Sequence, residues 1–295
     1  MTSMLRVGDF EISRVHEIEL ELWSTLLPDW RREMAKANSA CLTPDFYVAE
    51  SDRFRVSIHS WLVKTGELRI LIDTCAGNHK SRPSFQLVNE LDTPWMARLG
   101  EAGARPEEID FVICTHFHVD HVGWNTRRVE QQWVPTFPNA RYVFPRLERE
   151  ALDPAFGVAK QGSSEHAIFL DSILPVIEAG QAMFVEGDES IATGVDLVAV
   201  PGHSKGQIAV RVRSNGAEAM FVGDVVHHPL QVHHPEWNSA LCEDPVVARR
   251  TRLSVLHHCA QHGSLMAPAH FARPHCGTVR RDASGFSFLP SEQIP

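Results

Sequence analysis

Three histidines and one aspartate stand close together in a single short segment, and they are His116, His118, Asp120 and His121. Imidazole nitrogens and carboxylate oxygens are the donors that zinc and similar divalent ions bind in proteins. The segment follows the apolar run 111–115, which is typical of a buried strand. On a tight loop that leaves a strand end, these side chains can converge on a small volume and could serve two metals. The alternative interpretation is a histidine-rich surface loop.

Three more residues of ligand type follow apolar runs further along the chain. His203 comes after Pro-Gly, Asp224 comes after Phe-Val-Gly, and His270 comes after Ala-Pro-Ala. Each residue alone would more often cap an element or face solvent. Together they repeat one design, in which a strand ends at a small residue or proline and a potential ligand follows. The chain also holds 17 histidines, and histidine is the commonest metal ligand and a frequent acid–base group.

The elements that would position these residues are strands followed by helices in each half of the chain. Alternating and apolar runs predict strands over 5–20, 56–64, 68–73, 111–115, 141–144, 182–186, 195–200, 207–213, 218–223 and 264–268. Helical spacing of apolar residues predicts helices over 84–103, from 146, over 166–179 and over 245–262, and a hairpin follows over 277–289. This order indicates two sheets packed face to face with helices outside.

Residues 22–55 do not fit that pattern, because their aromatic and leucine residues stand among charges and prolines. We interpret them as an irregular arm with helical turns. Large exposed apolar patches usually mark a ligand or partner surface. We therefore expect the arm to wall the mouth of the site, to contact a second subunit, or both.

Length, composition and charge limit the possible functions. The chain has 295 residues, with 43% hydrophobic and 22% charged residues, which is ordinary for a globular protein. A net charge of −9 argues against nucleic-acid binding. No apolar run is long enough to span a bilayer, and the first residues lack the features of a signal peptide. Six scattered cysteines without a CxxC motif indicate free thiols, so we expect a cytoplasmic protein with no membrane partner.

In this order, the motifs resemble those of the metallo-β-lactamase superfamily. The resemblance covers nearly the whole chain and includes HxHxDH over 116–121, the Pro-Gly-His turn at His203, the Gly-Asp pair at Asp224 and the late His270. The segment Leu-Ile-Asp-Thr over 71–74 is similar to the LIDTG element of the family, with Cys75 in the glycine position. Spacing and ligand set look most like the lactonase and methyl-parathion-hydrolase branches.

The resemblance implies an α/β fold, the four-layer αβ/βα sandwich, with residues 1–295 as a single domain. It implies that the first metal is held by His116, His118 and His203, that the second is held by Asp120, His121 and His270, and that Asp224 bridges them. The expected cofactors are two divalent metal ions, with zinc as the expected metal. Asp120 could also take or pass a proton. Asp73 either fixes the tautomer of a ligand histidine or simply ends a strand.

The implied activity is hydrolysis of a small-molecule lactone or ester by a hydroxide held between two cations. Acyl-homoserine lactonases carry a tyrosine three residues after the bridging aspartate, whereas this chain carries His227 there. A histidine can still donate a hydrogen bond to the substrate, so His227 is a candidate catalytic residue. After the Pro-Gly-His turn, the usual Thr-Pro-Gly-His is replaced by Ser-Lys-Gly-Gln over 204–207.

Other functions fit the same pattern. The site could hydrolyse an organophosphate triester or a β-lactam, although the missing export signal argues against a cell-wall defence role. A different class is a non-catalytic metal or redox module that uses the fold for binding. The expected partner is a small-molecule substrate, and the resemblance also implies a homodimer.

Overall fold

The N-terminal part of the chain contains strands and short helices, and the segment 116–121 follows one of these strands. The structure is a computed structural model that describes residues 4–42 and 45–291. Its elements up to residue 185 are, in chain order, β1 (Met4–Val7), β2 (Phe10–Trp23), β3 (Tyr47–Val48), β4 (Arg53–Lys64), β5 (Arg69–Ile72), α1 (Trp95–Glu101), β6 (Phe111–Ile113), β7 (Thr126–Val129), β8 (Gln132–Pro135), β9 (Arg141–Pro145), α2 (Arg146–Leu152), α3 (Ser164–Ile168), a π-helical turn (Phe169–Ile173), α4 (Leu174–Glu178) and β10 (Ala182–Val185).

The C-terminal part repeats the order of strands followed by a helix and ends in a hairpin. Its elements are β11 (Ser190–Ala192), β12 (Val195–Ala199), β13 (Ile208–Ser214), β14 (Ala217–Gly223), α5 (Leu230–His233), α6 (Pro245–His262), β15 (Leu265–Pro268), β16 (Gly277–Asp282) and β17 (Gly285–Pro290). The predicted bounds of α6 agree with the structure. Asp244 caps this helix by accepting hydrogen bonds from the backbone N–H groups of Val246 and Val247.

Two sheets form the centre of the molecule. The first has the order β1-β2-β4-β5-β6-β9-β10, with β3 on the edge of β4, and the second has the order β11-β12-β13-β14-β15-β16-β17. Strands β5, β6, β9 and β10 are parallel to one another, and so are β14 and β15. Parallel neighbours end on the same side of a sheet, so the loops that follow them gather at one edge.

Apolar side chains form three layers, one between the two sheets and one between each sheet and its helices. Trp61 and Ile113 from the first sheet pack with Leu197 and Phe221 from the second. A second cluster lies between the first sheet and α1, α3 and α4, and a third lies between the second sheet and α6. Each sheet thus has one face on the other sheet and one face on helices. The predicted four-layer αβ/βα sandwich is confirmed.

The predicted helix over 84–103 is wrong in its first half. Residues 84–94 form a loop with one 3₁₀ turn at Gln86–Val88, and the helix begins only at Trp95. Pro94 explains this start, because proline disfavours helical backbone at the residue before it. The predicted helix over 166–179 contains the π-helical turn, and the sequence analysis missed the β7–β8 hairpin, β11 and α5.

The described residues of the arm, 22–42 and 45–55, form more regular structure than we expected. Its ends extend β2 and β4, and Trp30, Tyr47 and Phe54 are buried in a small cluster with Trp237. The carboxylate of Asp52 accepts hydrogen bonds from the side chains of Ser24, Trp30 and Tyr47. Trp23 is the exception, with 65% of its surface exposed. Most of the arm's aromatic residues therefore stabilise the arm itself.

A buried ionic cluster fixes the loop over 78–90. The Lys80 ammonium donates hydrogen bonds to the Thr126 hydroxyl (2.9 Å) and to the Asp171 carbonyl (3.0 Å), and it lies 3.8 Å from the centre of the Trp133 ring. The Arg82 guanidinium donates two hydrogen bonds to the Asp171 carboxylate, at 2.7 and 2.6 Å. Burial lowers the pKa of Lys80 to about 7, against the opposing effect of Asp171. Two cations thus share one anion and tie the loop to the π-helical turn.

In the part of the chain that the structure describes, no helix combines the length and the apolar character needed to cross a membrane.

Candidate metal centre

The seven predicted ligands meet where strands of both sheets end. The segment 116–121 follows β6, His203 lies in the turn between β12 and β13, Asp224 follows β14 directly, and His270 follows β15 by two residues. His118 and Asp120 are half-buried, and the remaining ligand side chains are buried. One buried polar cluster therefore forms between the two sheets.

One group consists of three histidines. The Nδ1 atom of His118 lies 3.1 Å from Nε2 of His116 and 2.9 Å from Nε2 of His203. The Oδ2 atom of Asp224 lies 3.3 Å from Nε2 of His203 and 3.8 Å from Nε2 of His116. These four atoms surround a common point, as the ligands of one metal ion would. We call His116, His118 and His203 the three-histidine group.

A second group lies on the other side of Asp224. The Nε2 atoms of His121 and His270 are 3.2 Å apart, and the Asp120 carboxylate lies 3.8 Å from His121 and 3.5 Å from His270. The Oδ1 atom of Asp224 faces this group, at 3.5 Å from His121 and 3.1 Å from His270. We call Asp120, His121 and His270 the mixed group. The two oxygens of Asp224 are thus divided between two groups of ligands.

The electrostatics of the three-histidine group favour neutral histidines beside an ionised aspartate. Burial and the neighbouring histidines hold the pKa of His116 well below its usual value, and burial does the same for His203. In the mixed group, burial lowers the pKa of His121 and His270, but Asp224 and the other carboxylates nearby outweigh this effect and hold both pKa values above the usual one. Burial alone would raise the pKa of Asp224, but His270 and the other histidines around it hold that pKa well below its usual range.

In the three-histidine group, neutral imidazole nitrogens only about 3 Å apart turn lone pairs toward one another, and a cation would satisfy those lone pairs. Among the described residues, Oδ1 of Asp224 has no hydrogen-bond partner. The donors are nitrogen and oxygen atoms at a buried site. The residues present therefore fit divalent metal ions.

Residues behind the ligands fix which ring nitrogen faces the centre. Asp73 accepts hydrogen bonds from Nδ1 of His121 (2.9 Å) and from the backbone N–H of Thr115 (2.7 Å). The Ser57 carbonyl accepts from Nδ1 of His270 at 3.1 Å. These hydrogen bonds leave Nε2 of His121 and Nε2 of His270 facing the centre, whereas His118 turns Nδ1 toward it. Of the two interpretations of Asp73, the structure supports the one in which it holds a ligand histidine.

His227 lies directly beside the centre. Its Nε2 atom is 3.2 Å from Oδ2 of Asp224, and its ring stacks on that of His270 with 5.9 Å between ring centres. The Gln231 side chain accepts a hydrogen bond from the His227 backbone N–H at 2.7 Å. Neither ring nitrogen of His227 has a hydrogen-bond partner among the described residues. The side chain is thus placed at the centre with its polar atoms unsatisfied.

A cavity of about 820 Å³ opens above the centre. Its floor contains His118, Asp120, Asp224, His227 and His270. Its walls are largely apolar and come from β2, the arm, β4, the loop over 78–90 and helices α2 and α3, with residues Leu20, Leu22, Leu26, Val56, Ile58, Phe85, Leu87, Val88, Leu152 and Ile168. The expectation that the arm helps to wall the site agrees with the positions of Leu22 and Leu26.

The sequence analysis missed most of this wall. Leu20 and Leu22 on β2, like Val56 and Ile58 on β4, are two residues apart and therefore point to one face of the sheet. Such a pattern is also typical of ordinary core strands. The sequence analysis also missed Glu148, which lines the same cavity.

Comparison with known proteins agrees with this geometry. Residues 53–270 match the family described as the metallo-beta-lactamase superfamily. An N-acyl homoserine lactonase from a Bacillus species is 27% identical over 165 residues, which make up 52% of this chain and 57% of the lactonase. The match thus spans less than two thirds of that relative.

Two solved structures have the same fold over nearly their whole length. A hydrolase of the beta lactamase superfamily, AbOPH, is 22% identical, with a TM-score of 0.81, and the match covers 99% of this chain and 97% of that chain. AidC, described as a dizinc quorum-quenching lactonase, is 19% identical, with a TM-score of 0.77, and the match covers 100% and 98% of the two chains. The match over 53–270, the four-layer fold and the motif order agree, and the chain belongs to the metallo-β-lactamase superfamily.

Proposed function

We propose that this protein is a metal-dependent hydrolase of a small-molecule lactone or ester and that it uses two divalent ions, with zinc as the expected metal. The observation that carries the proposal is the division of the Asp224 carboxylate between the three-histidine group and the mixed group. A carboxylate in that position suits two cations that share one bridging ligand. When bound, the ions supply Lewis acidity toward a carbonyl oxygen and lower the pKa of water.

The side chains on the cavity floor have separate tasks in this proposal. Asp120 is 23% exposed, lines the cavity and lies 3.8 Å from His121 and 3.5 Å from His270. It can therefore accept the proton of the attacking water and pass it to the leaving oxygen. His227 can donate a ring N–H to the oxygen on which negative charge develops. Asp224 and the histidines hold the ions in place.

The cavity supports a substrate with an apolar substituent. Its walls are lined mainly by leucine, valine, isoleucine and phenylalanine, with some polar residues such as Lys160 and Glu165, and the candidate metal centre forms its floor. Such a site would bind the apolar part of an acyl lactone or ester and leave the reactive carbonyl at the centre. The lactonase relative is named for substrates of this kind.

The experiment is a hydrolysis panel with the zinc-loaded protein. It comprises acyl-homoserine lactones of short and long acyl chain, an aryl ester, paraoxon and a β-lactam, and metal content is measured in parallel. We expect two ions per chain, turnover of the lactones or the aryl ester, loss of turnover with a chelator and recovery with zinc. Hydrolysis of paraoxon or the β-lactam alone, or no hydrolysis with two ions bound, would contradict the proposal.

We extend the proposal to the organisation of the protein as a single domain, 1–295, that forms a cytoplasmic homodimer. Both sheets contribute ligands, so neither half would hold the centre alone. All six cysteines are free thiols, which suits a reducing compartment. The exposed Trp23 in the arm is a candidate for the subunit contact. Sedimentation of a monomer at micromolar concentration would contradict the dimer.

A further inference from the structure

One buried carboxylate links the two loops that carry the three-histidine group. Glu148 belongs to α2, and only 3% of its surface is exposed. Its Oε2 atom accepts a hydrogen bond from the backbone N–H of Phe117 at 2.9 Å. Its Oε1 atom accepts from the backbone N–H of Gly206 at 2.8 Å. Each carboxylate oxygen is thus used by a different loop.

The two backbone donors lie close in sequence to the predicted histidine ligands. Phe117 lies between His116 and His118, and Gly206 lies three residues after His203. One side chain therefore sets the distance between the two loops that supply every histidine of this group. Burial raises the pKa of the Glu148 carboxyl, and the N–H groups of Phe117 and Gly206 oppose this effect. A buried carboxylate is costly, so its use here indicates a specific task.

The close approach of Gly206 is an independent observation. A Cβ atom at position 206 would lie 2.9 Å from Oε1, 2.9 Å from the backbone nitrogen and 3.0 Å from Cγ of Glu148. Real Cβ atoms essentially never make contacts that close to the backbone. The loop after His203 therefore needs glycine at this position to reach the carboxylate.

We propose that Glu148 is a positioning residue that sets the metal affinity of the three-histidine group without touching the ion. This inference rests on the metal centre of the proposed function. The mixed group has other supports, namely Asp73 and the Ser57 carbonyl. Loss of Glu148 should therefore weaken one ion and spare the other.

The experiment measures zinc release from Glu148→Ala and Glu148→Gln by chelator competition. His203→Ala and His270→Ala serve as references for the loss of each group, and Glu150→Gln, on the same helix, is the matched control. We expect one ion to bind about 10–100-fold more weakly in Glu148→Ala, with a release curve like that of His203→Ala. Glu148→Gln should fall between, because its single amide oxygen can accept from only one loop.

Gly206→Ala keeps the inference testable if Glu148→Ala does not fold. It should displace the carboxylate and weaken the same ion. Unchanged zinc affinity in the folded variants, or equal weakening of both ions, would overturn the inference. Because the readout is metal affinity, a wild-type protein that binds two ions but hydrolyses nothing would contradict the proposed function and leave the role of Glu148 intact.

Discussion

The metal centre and the cavity above it are built on different principles. The predicted ligands lie at strand ends, and Asp73, the Ser57 carbonyl and Glu148 accept directional hydrogen bonds that hold them or the loops that carry them. The cavity wall is assembled from separate strands, loops and short helices, and its side chains make non-directional apolar contacts. The centre should therefore decide which reaction is possible, and the wall should decide which substrate fits. Substitutions in the centre should lower turnover or metal content, whereas substitutions in the wall should change KM and have smaller effects.

The largest effect should come from Asp224→Ala. The two groups of ligands would then face each other without the shared anion, so two cations would repel each other across the gap. We expect at least about a hundredfold loss of turnover and reduced binding of both ions, measured by steady-state kinetics and elemental analysis. Activity like that of the wild type would place the bridge elsewhere.

A smaller effect, confined to the reaction, should follow from His227→Ala. Its ring lies beside Asp224 but outside both groups of ligands, so both ions should stay bound. We expect kcat to fall by about tenfold to a thousandfold, as for the loss of a general acid or an oxyanion donor. His227→Tyr should retain more activity than His227→Ala.

His233→Ala is the control for His227, since it lies in the same region of sequence without lining the cavity. It should leave kcat and metal content unchanged. Loss of zinc from His227→Ala would instead make His227 a ligand, and unchanged kcat on every substrate would remove it from the mechanism.

A substitution in the wall should change substrate binding without changing the reaction. Leu87 lines the cavity and is 54% exposed, so a charge there should cost little stability. For Leu87→Asp we expect KM to rise about tenfold for a long-chain lactone and little for a short one, because less apolar surface is buried favourably. Metal content and kcat should not change.

Leu289→Asp provides a matched control, since Leu289 is 40% exposed on β17 and does not line the cavity. If both variants alter KM equally, or if the effect of Leu87→Asp is independent of chain length, the wall does not select the substrate.

The same contrast explains what could be predicted from the sequence. The candidate ligands are histidine and aspartate residues that follow apolar strands, so residues such as His116 and Asp224 could be selected as candidates one by one. Wall residues such as Leu20 and Ile58 have the types and spacing of any buried strand, and only the fold shows which of them face a cavity. The assembly of the site from β6, β12, β14 and β15 depends on strand pairing within each sheet and on packing between the two sheets, which local patterns do not contain.

The sequence analysis placed one helix wrongly and missed the role of Glu148, and each failure has a physical cause. The regular spacing of Leu87, Leu91, Trp95 and Leu99 predicted one helix, but Pro94 interrupts it and only Trp95 and Leu99 lie in an α-helix. The role of Glu148 could not be predicted, because the two hydrogen bonds that link the loops come from backbone N–H groups. Nearly every residue has a backbone N–H group, so residue types do not reveal which of them donates. The one sequence feature related to this link is the glycine at position 206, where a side chain would not fit.

The burial of the Lys80 ammonium in the loop over 78–90 couples folding to the release of a proton. The pKa of Lys80 is lowered to about 7 in the folded protein from an ordinary value of 10.5, so between these values the unfolded chain binds more protons. The free energy of unfolding should therefore rise with pH from about 7 to 10, by at most about 1.4 kcal/mol per pH unit. In Lys80→Met this contribution should vanish, and denaturant unfolding of both proteins at pH 7, 8 and 9 measures it. If the free energy of unfolding of the wild type relative to Lys80→Met does not change with pH, Lys80 stays protonated in the folded protein. If it rises with pH, the loop that carries Leu87 is held most stably in alkaline solution.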